Sequence, residues 1–362
     1  MIILTQKMSC MTKNSRFWLL FLFVWCMAIS AASAADTPFG TLEFLSWNHP
    51  WNNYKYPDEK ALKKTFALMK EAGVSWVRMD FLWEDIEPVQ GQIDYSKYDR
   101  IVDLATSYGI HILGIMSYSA SWAGPSWNSP PDKDETFVAF TAGVIDRYKG
   151  KVTYWEIWNE PDDATYFTPQ DAMVRYTELL KKVYTRAKAV NPECRILNGG
   201  LSKNAVFALK NIYKNGGKGY FDILAIHPFS NPLNEYGVSR VRGIYRGCRK
   251  IMRDFGDGDK KIWFTEIGCP GVKVPLRRNG WWEGRSPTEK EQAAWVRYIY
   301  SEFITYDGVE KIFWAFFRDT KDHFHNGVDE FGLVRWDFSK KPAFEAYRNA
   351  SRVWLEEYRQ SR

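Results

Sequence analysis

Eight short apolar stretches, rich in β-branched and aromatic residues, recur at residues 42–46, 74–79, 110–116, 152–158, 195–198, 221–226, 261–265 and 311–316. Runs of this length and composition read as buried strands. The segments between them carry helical signals. Pro57 opens one in which Leu62, Phe66 and Met69 share a face, and Gly73 ends it just before the next strand. Gly109, Gly150, Gly258 and Gly308 punctuate other helix-to-strand joins. Thr168-Pro169 and Ser286-Pro287 each place a capping hydroxyl before a proline, with Asp171 and Glu289 three residues after the cap. These pairs predict the starts of the fourth and seventh helices. Strand followed by helix, eight times, with right-handed crossovers, closes into a parallel barrel: an α/β chain with a single-domain (β/α)8 TIM barrel. A doubly wound open sheet is the alternative.

The first 34 residues read as an export signal outside this fold. Lys7, Lys13 and Arg16 precede the apolar run 17–29, and Ala32-Ser33-Ala34 supplies small residues at a cleavage site. Cleavage after Ala34 is expected, leaving 35–362 as the barrel domain and a secreted or periplasmic protein; an uncleaved anchor is the alternative. No later segment has the apolar length of a membrane span. The signal holds three of the 49 basic residues and none of the 43 acidic ones. The remaining charge is too balanced for a nucleic-acid binder.

Cys194, Cys248 and Cys269 remain beyond the signal, an odd number without CxxC spacing, which argues against a disulfide framework and a zinc site. His323 and His325 lie apart from His49, His111 and His227, and no HExxH is present, so no metal or other cofactor is implied. GxSxG, P-loop and dinucleotide glycine motifs are absent as well. Aromatic residues make up 17% of the chain, with 17 Trp. Sugar-binding clefts use such rings as stacking platforms.

Functional groups of a (β/α)8 barrel sit where strands end. Acids stand there twice. The fourth strand runs into Trp158-Asn159-Glu160-Pro161 and the seventh into Thr265-Glu266-Ile267-Gly268. On a ring of eight these strands are three steps apart, so the two carboxyl groups would face each other across the barrel mouth. Glycosidic bond cleavage needs such a pair, one to protonate the leaving oxygen and one to attack the anomeric carbon. Glu156, two residues before Glu160, is expected to be a buried acid tied to a barrel-lining Arg.

The stretch from Trp155 to Pro161 resembles the WxxWNEP acid/base signature of clan A glycoside hydrolases, and Trp263 to Gly268 resembles their WxTEIG nucleophile segment. The segment from Trp83 to Asp99, with Glu87-Pro88, Gly91 and Asp94, is similar to the region after the second strand in family 39 and some family 5 members. Phe331 to Val334, followed by Lys341-Pro342-Ala343, is similar to the clan's closing segment. The resemblance covers nearly the whole chain beyond the signal. It implies retention of configuration, Glu160 as acid/base and Glu266 as nucleophile. It also implies that Arg78 holds the nucleophile ionised, that Asn159 bonds a sugar 2-hydroxyl, and that Trp314 lies under the sugar beside the cleavage point.

His227, ending the sixth strand, is expected to orient the nucleophile. Trp47, Trp122, Trp127, Trp281 and Trp282 lie on expected rim loops and would extend an aromatic platform along a glycan. Lys273, Arg277, Arg278 and Arg285 follow Glu266 in one loop; they form either a receptor for an acidic or phosphate-bearing sugar or a solvated basic surface. The expected substrate is a poly- or oligosaccharide and the expected state a monomer. Family 39 resemblance points to xylosides, glycosaminoglycan-type uronides or bacterial exopolysaccharides. The chain leaves no room for the accessory β-domain of many exo-acting family 39 xylosidases, which favours internal cleavage. A transglycosylase on the same barrel and a noncatalytic carbohydrate-binding protein are the competing readings.

Overall fold

Strands β1 (Phe39–Leu42), β2 (Trp76–Leu82), β3 (His111–Ser117), β4 (Tyr154–Asn159), β5 (Arg195–Gly200), β6 (Leu224–Ile226), β7 (Ile262–Ile267) and β8 (Val309–Ala315) form one parallel sheet. Neighbours pair in sequence order from β1 to β5 and from β6 to β8, and β8 pairs with β1. Parallel bridges from Leu197 to Ile223 and from Leu201 to Ile226 join β5 to β6 and close the ring. This computed structural model describes residues 37–274, 277, 278, 282, 284–324 and 329–360. The expected signal lies outside that range. Among the described residues, no helix is long and apolar enough to cross a membrane, and Cys194, Cys248 and Cys269 are buried and unbonded.

The eight helices that alternate with the strands are α1 (Glu59–Ala72), α2 (Ser96–Ser107), α3 (Asp134–Arg147), α4 (Ala172–Val190), α5 (Ala205–Lys214), α6 (Gly237–Asp254), α7 (Glu289–Glu302) and α8 (Pro342–Gln360). Helix α1 shows the local logic. Asp58 caps it by accepting the Ala61 amide at 2.8 Å, Leu62, Phe66 and Met69 bury one face, and Gly73 takes the left-handed conformation that ends it. Helices α4 and α7 start later than the proline pairs predict. The Thr168 amide is spent on the Asn128 carbonyl, and α4 begins only after Asp171. At α7 the cap is Thr288, two residues beyond Ser286, because Thr288 and Glu291 bond each other reciprocally in a capping box.

Strand β1 also ends earlier than its apolar run suggests. Beyond Leu42 the chain turns around Glu43, whose buried carboxylate meets Lys55 Nζ at 2.6 Å and accepts the Arg318 amide at 2.6 Å. The ion pair lies within the loop after β1, and its bonds to the Arg318 backbone tie that loop to the loop after β8. Inside the barrel the lower layer is apolar, built from Trp76, Leu113, Leu197, Ala225, Trp263 and Phe313. One layer up, towards the strand ends, the filling becomes ionic, with Arg78 and Glu156 both buried. The change from apolar to charged filling sets the floor of the site.

Candidate active site

Arg78 organises that floor. Its Nε and Nη2 donate to the two oxygens of Glu156 at 2.9 and 2.8 Å, Nη2 also reaches Asn159 Oδ1 at 2.9 Å, and Nη1 donates to Glu266 Oε1 at 2.6 Å. Burial works against the guanidinium's charge, but Glu156 and Glu266 outweigh it and hold the group protonated. Glu156 also accepts the Gly200 amide at 2.6 Å, so it is the buried, Arg-bound acid that its position on β4 suggests.

Glu266 reaches the cleft through an irregularity in β7. Phe264 pairs with Ile312 and Ile267 with Trp314, so Thr265 and Glu266 together oppose the single residue Phe313. A bulge of this kind re-aims side chains at sheet ends. Here Thr265 and Glu266 both serve the site. Glu160, just past β4, sits at φ 45° with its amide bonded to the Gly200 carbonyl at 3.1 Å. Non-glycine residues rarely adopt this left-handed backbone, and they keep it only where the surroundings enforce it.

His227 links the two strand ends. Its Nδ1 lies 2.7 Å from Glu160 Oε1 and its Nε2 lies 3.0 Å from Thr265 Oγ1, whereas Glu266 Oε1 is 3.9 Å away. The expectation that His227 orients the nucleophile is therefore corrected: its direct partner is Glu160. Burial lowers the imidazole pKa. An uncharged ring with its hydrogen on Nδ1 satisfies both contacts, donating to Glu160 and accepting from the Thr265 hydroxyl.

The two rim carboxylates are close but differently surrounded. Ligand atoms of Glu160, His227 and Glu266 all lie within 4.8 Å of one another. Burial, then Asp162 and Asp163, push Glu160 up to about 8. Burial also raises Glu266, but the Arg78 cation pulls against it. A proton shared by the pair therefore resides on Glu160. The same three side chains have the spacing to hold a metal ion; the Arg78 guanidinium on Glu266 opposes a second cation there.

Gly200 makes this packing possible. A Cβ at this position would stand 1.9 Å from His227 Nε2. Gly200→Ala is expected to push the imidazole off both partners and lower kcat/KM by roughly 10²-fold, the scale of an ångström-sized misplacement. Steady-state kinetics beside a thermal melt checks this; unchanged kcat/KM in a folded variant would show that the ring is not held by this contact.

A cleft of about 1160 Å³ opens above these groups. Trp47, Trp127 and Trp282 line it, as do Arg78, Asn159 and His227. Trp281 lies outside the described residues, as does His325. Two expected platform rings are elsewhere. Trp122 is packed down, its indole donating to the Glu87 carbonyl at 2.7 Å and its ring set edge-on to Trp83. Trp314 is fully buried, donating to the Phe331 carbonyl at 2.9 Å. Side chains alternate along β8, and Phe313 takes the inward place against Trp263, so Trp314 faces outward. The ring at the end of β8 that lines the cleft is Phe316. Of the basic loop, Lys273 is exposed and does not line the cleft, and Arg285 is paired with Glu291 at 2.6 Å. The side chains of Arg277 and Arg278 lie outside the described residues.

Asp80 was not singled out in the sequence. It lines the cleft, accepts from Ser117 Oγ at 3.1 Å, and is pushed by burial to about 6. It stands two residues beyond Arg78, so strand alternation alone puts it on the same inward face. Tyr118 and Tyr166 complete the wall beside Glu160, and only closure of the fold brings them there.

A family profile described as "Glycosyl hydrolase catalytic core" matches residues 126–337, and one described as "Beta-galactosidase" matches residues 52–134. Among curated proteins, the chain is 34% identical over 91 residues to endo-1,4-beta-xylanase 1 of Gibberella zeae, covering 23% of this chain and 25% of that one. It is 27% identical over 157 residues to a beta-1,4-xylanase of Dictyoglomus thermophilum, covering 40% and 41% respectively. The matches thus span well under half of these relatives' lengths. Among solved structures, a family 39 glycoside hydrolase from Bacteroides cellulosilyticus aligns with a TM-score of 0.66 at 24% identity, over 85% of this chain and 65% of that one. A monomeric beta-xylosidase from Caulobacter crescentus aligns with a TM-score of 0.64 at 17% identity, over 87% and 67%. These structural likenesses establish the barrel.

Proposed function

The chain belongs to the glycosyl hydrolase catalytic core family, and we propose that it is a retaining glycosidase that cuts a polysaccharide by double displacement. The observation that carries this reading is the pair Glu160 and Glu266, with oxygens within 4.8 Å of each other and the Arg78 cation bonded to Glu266. Carboxyl groups about 5 to 5.5 Å apart suit direct attack, whereas inversion needs roughly 6.5 to 9.5 Å to admit a water. In this reading Glu266 attacks the anomeric carbon and forms a glycosyl ester while the Glu160 proton passes to the departing oxygen. Glu160 then takes a proton from water, and the hydroxide equivalent displaces Glu266 and restores it. Asn159, its carbonyl oxygen taken by Arg78 and its amide also beside the Tyr118 hydroxyl, lines the cleft where an amide hydrogen can meet a sugar hydroxyl.

Proton NMR of the first-formed sugar tests the stereochemistry. The product is expected to keep the anomeric configuration of the substrate, and inversion would overturn the reading. The pH profile tests the division of roles. Glu160 works as an acid only while protonated, so kcat/KM is expected to fall as pH rises through about 8. Profiles recorded between pH 4 and 10 would contradict this assignment if activity held level to pH 10.

The cleft exceeds the roughly 300–1,000 Å³ of small-ligand sites, which supports a polymeric substrate and internal cleavage. The xylanases and the xylosidase among the similar proteins support a xylose-containing polysaccharide. A monomer, as described for the Caulobacter xylosidase, is part of the proposal. So are removal of residues 1–34 and a secreted or periplasmic location, which rest on the charged, apolar and small-residue pattern of that segment. Transfer to a sugar acceptor is the second reading, since the same ester accepts a hydroxyl in place of water; product analysis with added acceptor separates the two.

A further inference from the structure

The two flanks of the cleft differ in charge. On the side of β1 and β8, Trp47 stacks near-parallel on Phe44 at 3.8 Å, and Trp51 stacks on His49 at 5.3 Å. On this side Asp85 meets His49 at 2.8 Å and Lys97 at 2.7 Å, and Glu84 beside it lines the cleft as a further acid. On the side beyond Glu160, Lys203 follows β5 and Arg240 lies in the first turn of α6. Both side chains are exposed and line the cleft. Among the described residues, neither has an acidic partner within 4.0 Å. The nearby acids are otherwise engaged. Asp162 accepts the Ser202 amide and hydroxyl at 2.9 Å each, and Asp163 accepts the Thr165 amide at 2.9 Å. Elsewhere cations commonly find acids, as Arg175 does with Asp134, Arg242 with Glu302 and Arg335 with Glu289. Among the described residues, other cations such as Lys60 and Lys210 also lack an acidic partner, but Lys203 and Arg240 are set apart by lining the wall of the cleft.

We propose that the flank beyond Glu160 is a leaving-group subsite for a uronate, with Lys203 and Arg240 as counter-ions of its carboxylate. The placement rests on the hydrolase reading above: the group that Glu160 protonates departs on the Glu160 side, so the sugar there is the leaving one. Asp162 and Asp163 would repel an anionic sugar from this flank. Cations facing a cleft with low-dielectric walls reverse that bias and select the charged sugar over its neutral analogue. These residues are separate from the basic loop after Glu266.

The test compares polygalacturonate, alginate, hyaluronan and xanthan with their carboxyl-reduced forms, in which each uronate becomes the neutral hexose. Affinity electrophoresis of the full chain reads binding, and release of reducing ends reads turnover. At least one native polymer is expected to exceed its reduced form roughly five- to tenfold, as two solvent-screened ion pairs allow. In K203Q/R240Q, with an unchanged melting temperature, that ratio is expected to fall to about one. Equal treatment of every native and reduced pair by the wild-type protein would overturn the proposal. So would a ratio that survives the double substitution, or retention on dextran sulfate as strong as on the uronates. Native-selective retention without reducing ends from any polymer would support the subsite and count against the hydrolase reading, which keeps the two failures apart.

Discussion

Glu266→Gln is expected to lower kcat/KM by roughly 10⁴-fold or more on every substrate, because no other group stands where a glycosyl ester would form. Glutamine keeps the shape of the side chain and leaves Arg78 its two bonds to Glu156, so the barrel should stay folded. Two measurements bear on this. Initial rates on an activated aryl glycoside give the size of the loss, and mass spectrometry of the quenched wild-type enzyme should find one glycosyl unit on the peptide carrying Glu266. Turnover near the wild-type level in the variant would return the chain to a binding role.

Glu160→Ala should divide substrates by leaving group. General acid assistance is worth about 10² to 10⁴ in rate where the departing alkoxide is basic, and little where it leaves readily as a phenolate. Natural linkages are therefore expected to lose two to four orders of magnitude in the first step, and activated aryl glycosides much less. The upper limb of the pH profile should vanish with the group that produces it, since the proton lost near pH 8 sits on Glu160. Equal losses on both substrate classes, or an unchanged alkaline limb, would contradict an acid role.

Much of this arrangement is legible in the sequence, for a physical reason. Parallel barrel strands are buried on both faces, so they announce themselves as continuous apolar runs, and the acids that interrupt two of those runs at their ends stand out. Glu156 and Arg78 follow from the same reasoning, because a charge inside a barrel must find its opposite. What escaped depends on register and on contacts distant in sequence. Nothing local reveals that β7 carries an extra residue at Thr265 and Glu266, or that β8 turns Phe313 inward and Trp314 outward. His227 stands beside either carboxylate until the close approach of Gly200 fixes its position. Past the early end of β1, Glu43 is held by Lys55 of the same loop and by Arg318, which reaches it only after the barrel closes.

The doubled residue in β7 has a mechanical consequence. Glu266 and Thr265 are covalent neighbours, Thr265 meets His227, and His227 meets Glu160. The carboxylates of Glu160 and Glu266 are thus both referred to one peptide unit of β7, Glu266 by covalent attachment and Glu160 through hydrogen bonds by way of His227. A displacement of that unit is therefore felt at both sides of the gap a sugar must fit.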